Sequence, residues 1–118
     1  HCYKATCYAT TRLLVNELKI PEDKFSTCFQ SRLGKDPWLM PYTDHVIEKL
    51  GKTGNKKLLV FSPAFVADCL ETTIEIGEEY LELFKDNGGE QLQLVPSLND
   101  NDDWAEGLLS IIKEKISN

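Results

Sequence analysis

Acidic residues recur at helical spacing in one segment of the sequence. Five carboxylates follow one another at steps of three or four residues: Asp68, Glu71, Glu75, Glu79 and Glu82. A helix would place them on one side, where like charges four residues apart repel by about 0.2–0.5 kcal/mol per pair, and no matching cations accompany them. A divalent cation would relieve this repulsion, and carboxylate oxygens beside the thiol of Cys69 would suit Fe(II) or a similar ion. The segment therefore predicts a helix that handles a metal ion.

The alternative for the same segment is a solvated acidic face, which composition alone favours. Gly77 interrupts the acidic series, at a cost of about 1 kcal/mol relative to alanine in a helix. This glycine marks either an irregularity in the helix or a close packing contact. The residue types leave both questions open.

A second feature is an aromatic loop. Trp38 and Leu39 stand between Pro37 and Pro41, after a segment with strand propensity. A large flat apolar ligand could rest there, although a tryptophan in a proline-rich loop is more often a cover over the core of its own domain. Phe65, just before the acidic series, has the same two interpretations.

Charge and missing motifs exclude several other classes of function. Thirteen Lys and Arg against nineteen Asp and Glu give a net charge of −6, which disfavours nucleic acid and anionic lipid as partners. The sequence has no G-x-G-x-x-G, P-loop or G-x-S-x-G motif, so nothing supports dinucleotide binding, phosphate cradling or serine hydrolysis. It also lacks a recognisable signal peptide or an apolar run near the roughly 18 residues that span a bilayer. We expect a protein of the cytoplasm, in solution or peripheral to the membrane.

The four cysteines are too few for a disulfide scaffold and are interpreted as thiols. Cys2 and Cys7, with His1 nearby, could hold a metal ion. A zinc site normally needs two such closely spaced pairs and the sequence has one, so ordinary burial of small apolar side chains is favoured. An iron–sulfur cluster is disfavoured because the cysteines are scattered along the chain.

The elements that would position these residues alternate along the chain. Periodicity and turn residues predict helix, strand, helix, strand, helix, strand and helix in turn, at residues 5–19, 24–31, 42–50, 57–61, 66–85, 91–95 and from the caps at 97–100 through Trp104 to Ile116. This order predicts an α/β fold, a three-layer Rossmann-like domain whose mostly parallel sheet is flanked by helices.

The second predicted strand, residues 57–61, has no polar alternation, which is typical of a strand covered on both faces. Ligands of open α/β sheets bind beyond the carboxyl ends of the strands. We therefore expect a site in the loops that begin at Gln30, Ser62 and Pro96. The chain opens on a helix without an initiator Met, so we also expect it to be cut from a longer protein.

Three loop motifs occur in order along the chain: Phe29-Gln30-Ser31-Arg32 with Pro37-Trp38-Leu39, the run from Pro63 to Thr72, and Leu98-Asn99. Together they resemble the C-terminal part of the ferrochelatases, which insert Fe(II) into protoporphyrin IX at the end of haem synthesis. The resemblance covers nearly all 118 residues and implies one chelatase-like domain over residues 1–118. Cys69, where many relatives carry a histidine, resembles a bacterial branch of the family.

The resemblance also implies roles for the candidate residues. It places Phe65, Trp38 and Leu39 in the porphyrin-binding cleft. It gives the metal and proton route to the acidic helix, with Glu71 as the catalytic residue, Asp68 in support and a metal-handling set of Glu71, Glu75, Glu79 and Cys69.

The family's Ser-x-His-Gly-(Leu/Ile)-Pro segment, which holds the active-site histidine, is absent from the 118 residues. The resemblance therefore implies a missing N-terminal half of the same polypeptide, and we expect the chain alone to be inactive. The parent enzyme would be a metal chelatase of the lyase class, with protoporphyrin IX and Fe(II) as substrates and no cofactor. Two alternatives stay open: a chelatase for another tetrapyrrole with cobalt or nickel, and a noncatalytic metal-binding or interaction domain.

Overall fold

The structure, a computed structural model, describes residues 2–117. The chain divides into two compact units, His1–Lys49 and Leu50–Asn118. The predicted α/β class with parallel strands is confirmed. The helices and strands are, in chain order, α1 (Tyr3–Glu17), α2 (Thr43–Lys52), β1 (Lys57–Val60), a π-helix (Glu71–Glu79) that continues directly as α3 (Tyr80–Asp86), β2 (Gln91–Leu94) and α4 (Asp102–Ile116).

In the first unit, α1 is held to the segment that follows it by side chains. Tyr8 contacts Phe29 edge to face, with ring centroids 6.1 Å apart. The Thr27 hydroxyl donates to the Thr11 hydroxyl over 3.1 Å. None of the residues Tyr3–Glu17 is fully buried, so these contacts fasten the helix at its edge.

The predicted strand at residues 24–31 is wrong. A short 3₁₀ turn covers Glu22–Lys24, and the remaining segment makes one isolated parallel bridge, between Phe29 and Tyr42. Two hydrogen bonds flank this bridge: the Phe29 amide donates to the Pro41 carbonyl and the Thr43 amide to the Phe29 carbonyl. The β-prone side chains instead contact α1, because no second strand lies beside them among the described residues of this unit.

In the second unit, β1 pairs in parallel with β2, with Leu58 opposite Leu92. The sheet of the described residues has two strands where the sequence predicted three. The expectation that β1 is covered on both faces is also wrong for residues 2–117, since Leu59 is 70% exposed. An uninterrupted apolar strand predicts burial on both faces, but this unit supplies a cover for one.

The core of the second unit lies between β2 and the helix before it. Ile76, Phe84 and Leu92 are almost completely buried, and the π-helix and α3 both pack against β2. Gly89 approaches this core so closely that a β-carbon there would lie 2.3 Å from the ring of Phe84. Only glycine fits the turn that leads from α3 into β2.

α4 begins one residue later than its predicted caps, because the Asn101 side chain accepts a hydrogen bond from the Trp104 amide. None of the residues Asp102–Ile116 is fully buried, and its apolar row stays substantially exposed: Leu108, Leu109, Ile111, Ile112 and Ile116. None of the helices in residues 2–117 has the length and apolar character needed to cross a membrane.

Candidate active site

The loops that follow β1 and β2 meet beyond the carboxyl ends of the two strands. Because the strands are parallel, both loops leave the same edge of the sheet. The Val95 amide donates to the Val60 carbonyl over 2.8 Å where the strands end, and the Asn99 amide donates to the Val66 carbonyl over 2.8 Å further out. The loops that begin at Ser62 and Pro96 therefore lie side by side, whereas the loop that begins at Gln30 does not follow a strand of this sheet. The site predicted in the three loops stays a prediction.

Asp68 joins the two loops through its carboxylate. It accepts a hydrogen bond from the Ser97 amide over 3.1 Å and one from the Asn99 side-chain amide over 2.9 Å. The Asp68 backbone amide donates in return to the Asn99 side-chain oxygen over 2.8 Å. These bonds, that of Asn99 first, lower the pKa of Asp68 below its ordinary value because they favour the ionised form.

Thr72 carries the connection from Asp68 into the helix. Its side chain is completely buried, and its hydroxyl accepts a hydrogen bond from the Cys69 amide over 3.0 Å. The same hydroxyl lies 3.1 Å from an oxygen of the Asp68 carboxylate and 3.0 Å from the Cys69 carbonyl, either of which can take its single proton. Polar groups at the start of the helix are thus satisfied within the loop itself.

The acidic helix is a π-helix over nine residues, Glu71–Glu79, whereas most π-helical segments in proteins are single turns. The Tyr80 amide bonds the carbonyl of Glu75, five residues earlier. The Tyr80 hydroxyl also donates to the Glu75 carboxylate over 2.7 Å. Gly77 lies within this helix, and a β-carbon there would meet only ordinary contacts, at 3.7 and 3.9 Å. Of the two interpretations of Gly77, the helix irregularity is confirmed.

Three of the five carboxylates share one open groove. Glu71, Glu75 and Glu79 line it together with Leu70 and Ile74, and its volume is about 280 Å³. Glu75 is half-buried, while Glu71 and Glu79 are exposed. The spacing in the sequence therefore predicted a real common face, although the helix that forms it is wider than an α-helix. Asp68 and Glu82 do not line this groove.

Glu71 is kept in its ionised form by its immediate surroundings. The Cys69 side chain donates a hydrogen bond to its carboxylate, and the backbone amide of Glu71 itself adds another, so the pKa of Glu71 is below its ordinary value. Cys69 is half-buried and free of any disulfide. Cys69 thus contacts directly the carboxylate to which the resemblance gives the catalytic role.

The carboxylates lie one after another along the groove and do not surround one common position for a metal ion. Within residues 2–117, no group of three or more His, Cys, Asp or Glu side chains is arranged to hold a metal ion. The set of Cys69, Glu71, Glu75 and Glu79 stays a prediction. For the N-terminal thiols, Cys2 is exposed and Cys7 half-buried, and their third candidate ligand, His1, lies outside the described residues.

The predicted porphyrin-contacting residues fall in both units. Phe65 in the second unit is half-buried; its amide donates to the Ser62 carbonyl over 3.0 Å, and its side chain does not line the acidic groove. In the first unit Trp38 is 40% exposed and its indole N–H donates to the Leu33 carbonyl over 2.9 Å. Leu39 beside it is half-buried.

The loop that carries Trp38 is fastened at its base. The guanidinium of Arg32 lies 3.8 Å from the centre of the Tyr42 ring and pairs with the carboxylate of Asp44. Together with the bridge between Phe29 and Tyr42, these contacts hold the two ends of the loop close to each other. Trp38 is therefore presented on a braced loop, with part of its ring surface open.

Residue types alone assigned no role to Thr72, and they gave Ser97 and Asn99 only as candidate caps of α4. Thr72 gave no signal, since a threonine inside a helical pattern is ordinary. Asn99 gave one, since it stands in the motif Leu98-Asn99, and in the structure it adopts the left-handed conformation at φ 49°. Among non-glycine residues, asparagine tolerates that conformation best.

Comparison with known proteins gives one consistent family. The family model described as Ferrochelatase matches residues 1–116. The chain is 51% identical over 107 residues to a ferrochelatase of Pseudomonas fluorescens, covering 91% of this chain and 31% of that protein. It is 47% identical over 115 residues to one of Legionella pneumophila, covering 98% and 35%, and 46% identical over 113 residues to one of Bdellovibrio bacteriovorus, covering 96% and 34%. The chain thus spans about a third of the length of these relatives.

Proposed function

This chain belongs to the ferrochelatase family, and from that premise we propose that the protein carrying it inserts Fe(II) into protoporphyrin IX to form protohaem. The parent enzyme is then a metal chelatase of the lyase class in haem synthesis. Fe(II) enters as a substrate. The chain supplies the acidic metal and proton helix and part of the porphyrin cleft.

The observation that carries this proposal is the groove lined by Glu71, Glu75 and Glu79. Hard carboxylate oxygens are suitable ligands for a divalent ion, and the three carboxylates would hold Fe(II) one after another along the groove. Leu70 and Ile74 add an apolar component to the same groove. Leu70 is 74% exposed and Ile74 38% exposed, so the same face offers apolar as well as charged surface to a ligand.

The reaction makes two demands that the proposed residues meet. Two pyrrole N–H protons must leave as four nitrogens bond the incoming ion, and the macrocycle must bend so that those nitrogens point at the metal. Phe65, Trp38 and Leu39 are the apolar side chains that would hold the macrocycle bent, with their binding energy directed at the transition state. An ionised Glu71, favoured by the Cys69 hydrogen bond, would hold the ion or accept a proton.

Glu71→Gln in the full-length protein tests this assignment. The change removes a charge and keeps the shape of the side chain, so we expect Fe(II) insertion to fall by roughly 10²–10⁴-fold while protoporphyrin affinity, measured by fluorescence quenching, is unchanged. Glu78→Gln is the matched control, because Glu78 is an exposed glutamate of the same helix that does not line the groove.

Two outcomes would count against the assignment. Normal turnover by the Glu71→Gln protein would remove Glu71 from the mechanism, and an equal loss in Glu78→Gln would show that only the net charge of the helix matters. Tight binding of Fe(II) by a protein that never inserts it would instead favour the noncatalytic metal-binding alternative.

We also propose that residues 1–118 form the C-terminal domain of a longer polypeptide. The chain covers 31–35% of the length of the relatives compared, and apolar side chains such as Leu59 stay exposed on β1. An N-terminal half would supply the other wall of the cleft and the histidine segment that the 118 residues lack.

A further inference from the structure

We infer that Asn99 is a positioning residue for metal insertion: it holds Asp68 in place and so fixes the start of the helix that carries Glu71. The inference rests on the proposed function for its kinetic consequence. Its structural part stands on hydrogen bonds within the second unit alone.

The contact between Asn99 and Asp68 is reciprocal. The side-chain oxygen of Asn99 accepts from the Asp68 backbone amide over 2.8 Å, and its side-chain nitrogen donates to the Asp68 carboxylate over 2.9 Å. One amide group thus meets both a donor and an acceptor on a residue 31 positions away. A serine or an alanine could not make this pair, since an amide carries both functions in one plane.

The backbone at Asn99 is arranged to make this contact. Its φ of 49° is in the left-handed region, which most non-glycine residues avoid and asparagine tolerates best. Its own amide is fixed to the Val66 carbonyl over 2.8 Å. The turn is therefore anchored at its backbone and turns its side chain back towards the loop that follows β1.

From Asp68 the constraint reaches the helix through Thr72. The Asp68 carboxylate lies 3.1 Å from the Thr72 hydroxyl, which in turn accepts from the Cys69 amide. The amides of Thr72 and Thr73 both bond the Cys69 carbonyl and begin the helix. Glu71 lies inside this closed set of bonds, so a shift of Asp68 displaces the carboxylate that the proposed mechanism uses.

Two variants of the full-length protein test the inference. Asn99→Gly removes the side chain but keeps a residue that accepts φ 49°, so the turn itself is spared. Asn99→Asp keeps the shape, loses the donor and places a second negative charge against Asp68. We expect kcat/KM for Fe(II) to fall roughly 10- to 100-fold in Asn99→Gly and further in Asn99→Asp, with protoporphyrin affinity unchanged in both.

The matched control is Asn55→Gly. Asn55 also uses its side-chain amide in a turn, where it bonds the Leu50 carbonyl and the Thr53 hydroxyl, but it precedes β1 and so lies at the opposite end of that strand. We expect its insertion kinetics to match the unmodified protein. Kinetic constants for Asn99→Gly that equal those of Asn55→Gly would overturn the inference, as would a loss confined to porphyrin affinity.

Amide hydrogen exchange separates this inference from the proposed function. If Asn99 holds Asp68, the Asp68 and Ser97 amides exchange faster in Asn99→Gly and at the original rate in Asn55→Gly. If the full-length protein had no insertion activity, the proposed function would be wrong. Amide exchange would still test the contact between Asn99 and Asp68 by itself: faster exchange supports the contact and unchanged exchange overturns it.

Discussion

Asp68 connects two loops and the start of a helix through hydrogen bonds that favour its ionised form. Its pKa is lowered in the folded chain by the Asn99, Ser97 and Thr72 hydrogen bonds. A carboxyl whose folded pKa is below its unfolded pKa stabilises the fold at pH values above the unfolded pKa. That contribution is lost as the pH falls through the folded pKa.

We therefore expect Asp68→Asn to destabilise the chain most at neutral pH, with the difference from the unmodified chain shrinking as the solution is acidified. Urea unfolding followed by circular dichroism at a series of pH values measures this difference. Asp36→Asn is the control, since Asp36 is an exposed aspartate of the first unit. A stability difference that stays constant with pH would show that Asp68 acts through shape and not through charge.

What the sequence could predict at this scale depended on local spacing. Glu71, Glu75 and Glu79 are four residues apart, and any helix with about four residues per turn brings them to one face. The roles of Thr72 and Asn99 could not be predicted in this way. The Asn99 contact joins positions 31 residues apart, and no periodicity encodes which turn will meet which loop.

Among the elements, the acidic helix combines the proposed site with irregular backbone structure. A π-helix is rare because its hydrogen bonds span five residues, and it is often found at functional sites. Here the irregular part, Glu71–Glu79, carries all three groove carboxylates, and regular α3 begins where they end. In the sequence Gly77 indicated either an irregularity of the helix or a close packing contact, and residue type could not decide between the two.

The strand predictions were wrong where strand formation or strand burial depends on a neighbouring element. Residues 24–31 have the composition of a strand, yet a strand needs a partner, and the segment instead packs Phe29 and Thr27 against α1. For β1 the position was predicted correctly within one residue, but its surroundings were not. Leu59 is exposed because burial depends on what lies beside the sheet, which composition cannot show.

The turn between α3 and β2 offers a test of how tightly the elements pack. Gly89→Ala would place a methyl group 2.3 Å from the completely buried ring of Phe84, so we expect a loss of about 1–3 kcal/mol in the free energy of unfolding. Gly107→Ala in α4 is the control: its β-carbon would meet nothing within 4 Å. There we expect a gain of about 0.5–1 kcal/mol.

Urea denaturation of the two alanine variants measures both changes in one experiment. Opposite signs would show that Gly89 is required by packing and Gly107 is not. A neutral Gly89→Ala would mean that Phe84 can move aside, and that the contact between α3 and β2 is looser than the structure describes.

At the scale of the whole molecule, the distribution of apolar side chains agrees with the proposal of a longer polypeptide. Neither Tyr3–Glu17 nor Asp102–Ile116 contains a fully buried residue, although both helices carry large apolar side chains such as Leu13 and Ile112. Exposed apolar side chains of this kind are expected where another segment packs against a helix. The relative from Pseudomonas fluorescens is about three times as long as the part matched here, which leaves room for such a segment in the proposed longer polypeptide.

The isolated chain of 118 residues provides a test of the proposed cleft. Because one wall of the proposed cleft and the histidine segment are absent from the 118 residues, we expect the isolated chain to insert no Fe(II) and to bind protoporphyrin IX only weakly. The porphyrin would then contact a surface open on one side, where binding cannot exclude water or hold the macrocycle bent. Fluorescence-quenching titrations of the isolated chain and the full-length protein, under the same conditions, compare the two affinities directly.

Trp38→Ala in the full-length protein is the informative companion, since weakened binding there would assign porphyrin contact to the braced loop. Tight stoichiometric binding by the isolated chain would contradict the two-walled cleft and would make residues 2–117 sufficient for porphyrin recognition.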